Sequence, residues 1–152
     1  MKKFLLLSLI GITLVACGKK KITNEMLVGE WSCHYNDLRA PWKDGQFLDY
    51  INEQNGSVKV HYYMQDNTLM MSYNDNSDHA SPFNLDELLA MNGIEEIVSN
   101  LKTKNIVELN YISNDEFNFN EIQEVTYLYG TNAQEENYNV KLKSELACKR
   151  IQ

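Results

Sequence analysis

Apolar and polar residues alternate along most of the chain, which is the pattern of β-strands with one buried face. In the first such segment, near 28–36, Trp31, Cys33 and Tyr35 share one face, and polar side chains occupy the positions between them. Further strands are predicted near 46–53, 57–65, 68–74, 105–112, 116–120, 123–130 and 138–149. The pattern therefore predicts a mainly β protein, an antiparallel meander of about eight strands.

Two dipeptides predict tight turns between these strands. Asn55-Gly56 is the strongest hairpin signal, because a type I′ turn requires positive φ at both central residues. This turn would place Val60 opposite Ile51. The second signal, at 66–67, would place Met64 opposite Leu69, on the same apolar face. Turn chemistry and strand pattern thus agree on a meander.

A third connection, between the strands near 105–112 and 116–120, has two alternatives. A two-residue turn at Asn114-Asp115 would put Asn118 opposite Tyr111 on the inner face. A three-residue loop at 113–115 pairs Tyr111 with Phe117 and keeps the face apolar, so we prefer it.

One stretch, near 84–101, breaks the β pattern. Asn84 and Glu87 have the spacing of a helix capping box, with Asn84 at the N-cap position. Asn92-Gly93 interrupts the helical periodicity, which Ile94, Ile97, Val98 and Leu101 then continue. The pattern predicts a helical insertion of two short pieces.

The first 16 residues have the features of a signal peptide. Lys2 and Lys3 precede an uncharged, leucine-rich run that is too short to span a membrane as a helix. The run ends in Leu14-Val15-Ala16-Cys17, which resembles the lipobox of bacterial lipoproteins. This resemblance implies cleavage before Cys17 and acyl chains on that residue, which would anchor the protein to a membrane. The alternative is a plain secretory peptide with a cysteine at the cleavage site.

The lipobox also sets the expected organisation and location. Residues 17–26 are predicted to form a lipidated tether, and residues 27–152 a single domain. The expected location is the cell envelope. Gly18 follows the cysteine, whereas an aspartate there commonly retains Gram-negative lipoproteins in the inner membrane. In such a cell the resemblance implies the outer membrane, facing the periplasm.

Cys33 and Cys148 remain once Cys17 carries lipid. A pair of cysteines in an oxidising compartment predicts a disulfide, although two buried thiols or one reactive cysteine are alternatives. If the first and last strands are antiparallel neighbours with these cysteines opposite each other, Trp31 lies across from Arg150 in a cation–π contact. About eight strands with the first paired to the last would form a closed barrel.

Gly29-Glu30-Trp31 resembles the Gly-x-Trp motif that opens the first strand of lipocalins, and Arg150 is placed like the basic residue that packs over that Trp. The resemblance implies a small lipocalin-like barrel that binds a ligand. Small envelope lysozyme inhibitors are similar at a coarser level, as compact barrels with a disulfide. The candidate ligand-lining residues are Trp31, Tyr62, Met64, Met71, Tyr73, Tyr111, Tyr127 and Arg150.

Net charge narrows the choice of partners. The formal charge is −7, and loss of Lys2 and Lys3 with the signal peptide makes it −9. Such a field repels phosphate backbones, so nucleic acid is not expected as a partner, and basic proteins are favoured. A cluster of acidic residues is a solvated face or a docking patch for a basic protein: Glu121, Glu124, Glu135 and Glu136.

No motif predicts catalysis, a metal or a cofactor. Ser99 and Lys102 match S-x-x-K, but its companion motifs are missing. His34, His61 and His79 have no zinc-ligand spacing. Residues 74–78 resemble a calcium loop only faintly, because the turn glycine and the final glutamate are missing.

Three non-enzymatic roles follow. A small-ligand binder predicts an interior cavity above roughly 300 Å³. An inhibitor, immunity or exclusion protein predicts a solid core and an acidic patch whose binding weakens as salt rises. A structural envelope factor is the third.

Overall fold

The computed structural model of the chain describes residues 20–74, 79–128 and 138–152. The predictions for the signal peptide, for Cys17, and for Glu135 and Glu136 lie outside these ranges, as does most of the calcium-like loop. In the described part of the chain, no helix combines the length and the apolar character needed to cross a membrane.

The described residues form two short helices and nine strands, and every strand pairing is antiparallel. In chain order the elements are α1 (Asn24–Leu27), β1 (Gly29–Lys43), β2 (Gln46–Phe47), β3 (Ile51–Gln65), β4 (Thr68–Tyr73), β5 (Ser81–Pro82), α2 (Leu85–Ala90), β6 (Glu95–Val98), β7 (Leu101–Ser113), β8 (Glu116–Tyr127) and β9 (Val140–Arg150). The sheet order is β5-β4-β3-β1-β9-β8-β7-β6, and β2 pairs with the far end of β1. The prediction of a mainly β, antiparallel protein is confirmed.

The pairing of the first and last long strands is also as predicted. Cys33 lies opposite Cys148 in the β1–β9 register, and the two sulfur atoms form a disulfide with an S–S distance of 2.07 Å. Trp31 lies opposite Arg150, and the guanidinium carbon is 4.3 Å from the centre of the indole ring. The two ends of the chain therefore build the middle of the sheet.

The predicted closed barrel is not confirmed. Among the described residues, each strand pairs with its neighbours in the order that a ring would require, except that β5 and β6 do not pair with each other. Between these two edges the chain forms α2, which contacts β7. The sheet is thus open, because the segment that would complete the ring forms a helix and two very short strands.

Asn55-Gly56 does not form the predicted turn. Both residues lie inside β3, where Asn55 is opposite Asn36 and Gly56 is opposite Tyr35. A Cβ atom at Gly56 would lie 2.8 Å from the Tyr35 hydroxyl oxygen, so the glycine allows a tyrosine to pack across the strand. Consequently Val60 does not lie opposite Ile51, as predicted.

The long β1–β3 pairing explains this error. β1 is 15 residues long, so its partner must run straight through the position of the predicted turn. The real hairpin lies earlier, at Asp44-Gly45, where φ is 52° and 83° and β1 turns back into β2. Val60 is paired instead with Trp31 and Tyr73.

The turn predicted at 66–67 is confirmed. Asp66 and Asn67 have φ values of 48° and 64°, which a type I′ turn requires. Met64 lies opposite Leu69, as predicted.

The next hairpin combines features of both alternatives. Tyr111 lies opposite Phe117, as preferred, but the turn itself is the two residues Asn114-Asp115, flanked by a register shift between Tyr111 and Ser113. The extra residue of this irregularity restores the apolar pairing that a plain two-residue turn would lose. β8 continues without a break from the strand predicted at 116–120 into the one predicted at 123–130, as far as Tyr127, and residues 129–130 lie outside the described ranges.

Only the first half of the helical insertion is a helix. The Asn84 side chain accepts a hydrogen bond from the Glu87 backbone N–H at 3.1 Å, which confirms the predicted cap. The helix predicted for the second half is wrong, because residues 95–98 form the strand β6. The chain turns at Ser99 and continues into β7. Ile97 and Val98 are β-branched, and such side chains favour strands over helices.

The core lies at one end of the curled sheet. Its largest fully buried side chains include Trp31, Leu27 and the two disulfide cysteines. Ile22 belongs to this core with 8% of its surface exposed, and Met26 packs against it. Part of the segment predicted as a tether is therefore folded onto the domain.

Candidate functional site

The inner face of the sheet is the face that carries Trp31 and Cys33, and strand register divides it into two halves. Residues directly opposite each other on antiparallel strands point to the same side. Near the disulfide this side is apolar, with Phe117 and Leu146 as examples. Farther along the same strands it becomes polar, with Glu121 opposite Ser144.

The apolar half borders a partly open cavity of about 130 Å³ between the sheet, α1 and α2. Strand residues form most of the wall, and Leu27, Phe83 and Leu88 close it from the helices and the segment before α2. The lining residues are Leu27, Tyr62, Met71, Tyr73, Phe83, Leu88, Leu109, Phe117, Phe119 and Leu146. The only oxygen atoms that these side chains contribute are the two tyrosine hydroxyls, so the cavity offers an apolar surface with few polar contacts.

Tyr62 is the unusual group in this wall. Its side chain is 6% exposed and its ring packs edge-on against Phe83, with 5.2 Å between the ring centres. Within the described residues no hydrogen bond reaches its hydroxyl. Burial, followed by the neighbouring Tyr73, raises the pKa of Tyr62 well above its ordinary value, so the hydroxyl stays protonated. In the described residues, the fully buried side-chain atom that lacks a partner is Trp42 Nε1 and not the Tyr62 oxygen, so water in the cavity can reach this hydroxyl. The polar group of a ligand could take the place of that water.

The cavity volume limits the size of any occupant. Pockets for drug-sized ligands measure about 300–1,000 Å³. An apolar cavity of about 150 Å³ holds a molecule the size of benzene. At about 130 Å³ the present cavity suits a single small ring or a short chain, and it is smaller than the sequence-based ligand hypothesis required.

The polar half of the inner face forms a more open cleft of about 300 Å³. Asp37, Glu53 and Glu121 bring three carboxylates to it, and Lys143 brings one positive charge. The Ser144 hydroxyl donates to Asp37 at 2.7 Å, and the Arg39 guanidinium lies 3.5 Å from Glu53. The cleft is therefore acidic, and two of its three carboxylates, those of Asp37 and Glu53, already have partners.

Arg150 fixes the apolar end of the sheet. Besides stacking on Trp31, its guanidinium donates to the backbone oxygens of Val28 at 2.7 Å and Met26 at 2.6 Å, and it lies 3.0 Å from an Asp115 oxygen. Gly29 has a φ of 133°, and a Cβ atom there would collide with this guanidinium. The residues that resemble the lipocalin motif thus join the N-terminal segment to the last strand.

The structure separates the candidate ligand-lining residues into two groups. Tyr62, Met71 and Tyr73 line the cavity. The other candidates do not: Trp31 and Arg150 form the stack at the end of the sheet, Met64 is exposed, Tyr111 donates to Asn114, and Tyr127 accepts from Asn100. Seven lining residues were not predicted. Four of them lie on strands, and the alternation of side chains along a strand could have identified them: Leu109, Phe117, Phe119 and Leu146.

The residues considered for catalysis or metal binding lie apart from the cavity. Ser99 is in a turn, and Lys102 forms an ion pair with Glu95 at 2.8 Å. His34 contacts Ser57 at 3.4 Å on the outer face. In residues 20–74, 79–128 and 138–152, no three His, Cys, Asp or Glu side chains are grouped so that they could hold a metal ion.

Comparison with known proteins adds little to this description. No protein-family model and no curated protein sequence matches the chain. Among solved structures, the ywiB protein from Bacillus subtilis is similar over 82% of this chain and 93% of its own, with 8% sequence identity and a TM-score of 0.32. A likeness at this level supports no statement about the fold or function of the present chain.

Proposed function

We propose that this chain is a lipid-anchored, non-enzymatic binding protein of the bacterial cell envelope, and that its ligand is a small apolar molecule with one polar group. The observation that carries the ligand proposal is the Tyr62 side chain in the wall of an apolar cavity, where its hydroxyl makes no hydrogen bond to the described residues. Ligand sites commonly combine apolar walls with a few polar groups that fix orientation.

The lipid anchor rests on the lipobox, and the location on Gly18. In a Gram-negative cell we place the protein on the periplasmic face of the outer membrane. Several acyl chains hold a protein to a bilayer, whereas one chain binds only marginally.

The anchor predicts the behaviour of a Cys17→Ser chain. Cells grown with labelled palmitate should incorporate the label into the unsubstituted protein and into a Gly18→Ala control, but not into the Cys17→Ser chain. Once its signal peptide is removed, the Cys17→Ser chain should also leave the membrane fraction, because it carries no acyl chains. Label on the serine variant, or membrane partitioning equal to that of the control, would contradict the anchor.

The ligand proposal predicts a difference between benzene and phenol. Both should bind the mature domain, since each is about the size that such a cavity holds. Tyr62→Phe should weaken phenol binding roughly fivefold, the equivalent of one neutral hydrogen bond of about 1 kcal/mol, and leave benzene binding unchanged. Protein-observed NMR titration measures both affinities.

A filled cavity provides the control for this experiment. Leu109→Trp adds an indole to the cavity wall and should abolish binding of both probes while the domain remains folded. If neither probe shifts the resonances of cavity residues, or if Tyr62→Phe leaves the phenol-to-benzene ratio unchanged, the ligand proposal is wrong.

The lipocalin-like character of the domain belongs to the same proposal. It is supported by the packing of Gly29 and Trp31 against Arg150. It is also supported by the strand order, which is that of a closed ring with one strand pairing missing. Pairing of β5 with β6 would be needed for a closed barrel.

The acidic cleft favours a second candidate, an inhibitor, immunity or exclusion lipoprotein that binds a basic protein. Asp37, Glu53 and Glu121 line an opening of about 300 Å³ that a lysine or arginine side chain could enter. Such binding would weaken as salt rises, whereas binding of benzene in an apolar cavity would not.

A further inference from the structure

The N-terminal segment attaches to the domain very soon after Cys17. The Lys20 ammonium lies 5.5 Å from the centre of the Tyr111 ring, in a cation–π contact. Two residues later, Ile22 is buried in the core, and α1 follows directly. The chain is therefore held against the domain from about residue 20 onward.

Covalent geometry then limits how far the domain can stand from a lipid on Cys17. Only Gly18 and Lys19 separate Cys17 from Lys20. Consecutive Cα atoms are 3.8 Å apart, so the Cα atoms of Cys17 and Lys20 are at most about 11 Å apart in any conformation. A free tether over residues 17–26 would allow about 35 Å by the same measure.

The contacts of Lys20 identify the end of the sheet that this short connection reaches. The Tyr111 hydroxyl donates to the Asn114 side chain at 2.8 Å, in the turn between β7 and β8. Arg150 donates to the Asn114 backbone oxygen at 3.2 Å and stacks on Trp31. We name this region, formed by Lys20, Tyr111, the turn at 114–115 and Arg150, the anchor end.

Charged side chains of both signs surround the anchor end. Lys20, Lys21, Lys149 and Arg150 lie at or beside this end, with Glu25, Glu30, Asp115 and Glu116. Two further carboxylates belong to the same end: Asp66, in the turn after β3, and Glu87, which shares a surface opening with Asn24 and Asn67. Lys19, which stands between Cys17 and Lys20 in the sequence, carries a further positive charge. The orientation therefore depends on the short connection to Cys17 rather than on charge.

We propose that the domain rests directly on the bilayer, with the anchor end against the lipid headgroups and the β1–β2 hairpin at Asp44-Gly45 directed away from them. Ile112, which is 51% exposed beside Tyr111, is placed to contact the interface. The proposal rests on lipidation of Cys17, and it assigns the acidic cleft of the inner face to the side farther from the membrane.

The two tryptophans of the chain provide probes at opposite ends of β1. Trp31 lies at the anchor end, and Trp42 pairs with Phe47 beside the hairpin. They are 11 residues apart, which is about 36 Å along an extended strand. Energy transfer from tryptophan to a dansyl-labelled headgroup therefore distinguishes the two ends.

The experiment uses lipidated protein in vesicles of phosphatidylcholine and phosphatidylglycerol that carry the dansyl acceptor. Trp42→Phe leaves Trp31 as the donor and should show severalfold stronger transfer than Trp31→Phe, which leaves Trp42. If Trp31→Phe does not fold, the Trp42 signal is obtained as the difference between the unsubstituted protein and Trp42→Phe. Insertion of 20 Gly and Ser residues between Lys19 and Lys20, with a mean span of about 25 Å, should reduce transfer from Trp31 severalfold.

Flotation of the same vesicles separates the two levels of the proposal. Protein that floats with the vesicles but shows equal transfer from both tryptophans, or transfer unaffected by the insertion, overturns the orientation and leaves the lipid anchor intact. Protein that does not float overturns the anchor, and the orientation with it.

Discussion

Replacing both Cys33 and Cys148 by alanine is expected to lower the free energy of unfolding by about 4–5 kcal/mol, because the bond closes a loop of more than 100 residues in the unfolded chain. The sequence separation of the two cysteines is 115 residues. Each side chain is at most 1% exposed, so loss of the sulfur atoms from the core adds to the effect. For a domain of this size the melting temperature should fall by roughly 10–20 °C.

Urea unfolding of the mature domain, with Cys17 changed to serine in every variant, measures this effect. Reduction of the otherwise unsubstituted domain should destabilise it by a comparable amount, since it breaks the same bond without removing any atom from the core. A double-alanine domain that unfolds at the same urea concentration as the oxidised domain would show that the β1–β9 pairing does not need the disulfide.

Replacing Arg150 by methionine is expected to have the second largest effect, about 3 kcal/mol. The substitution keeps most of the side-chain stem and removes the guanidinium. It therefore removes a cation–π contact worth about 0.5–2 kcal/mol and charged hydrogen bonds worth about 1.5–3 kcal/mol each. Water that reaches the freed oxygen atoms offsets part of this loss. The backbone oxygens of Met26 and Val28 lose their donors at the same time.

Two companion variants make this prediction specific. Arg150→Lys keeps the charge but cannot donate in several directions from a planar group, so it should recover less than half of the loss. Lys149→Met removes the neighbouring charge, which is 74% exposed and 3.6 Å from Glu116, and should change stability by less than about 0.5 kcal/mol. Equal effects at 149 and 150 would contradict the structural role of Arg150.

The sequence was sufficient to predict the centre of the sheet. The alternation of apolar and polar residues placed Trp31 and Cys33 on the apolar face of one strand and Cys148 on the apolar face of another. The expected oxidising compartment favoured a disulfide between the two cysteines. Once they are opposite, antiparallel geometry determines that Trp31 meets Arg150. This inference succeeded because a covalent bond supplied the long-range register that side-chain pattern alone lacks.

The errors arose where local preference was opposed by a distant partner. Asn55-Gly56 has the strongest turn chemistry in the chain, yet β1 pairs across it and Tyr35 uses the space left by the missing side chain. Ile97 and Val98 follow a helical spacing, but they pair with Lys102 and Leu101 at the edge of the sheet. Neither partner is visible in a short window of sequence.

The candidate cavity could be predicted only in part for a related reason. Parity indicates which side of a strand faces inward, so Tyr62, Met71 and Tyr73 were found. Parity does not indicate the position along the strand at which the inner face changes from apolar to polar. Tyr127 was therefore included although it lies beyond that change, and Leu88 was missed because its position depends on how α2 docks.

The position of β9 has a consequence for the order in which the protein can assemble. β9 follows the other described strands in the chain, and it lies between β1 and β8. Until its 11 residues are free to pair, β1–β4 and β7–β8 are two separate half-sheets, each with an uncovered edge. Such sequence-distant pairing slows folding. A chain that leaves a narrow channel with its N-terminus first would therefore complete this sheet only after β9 has emerged.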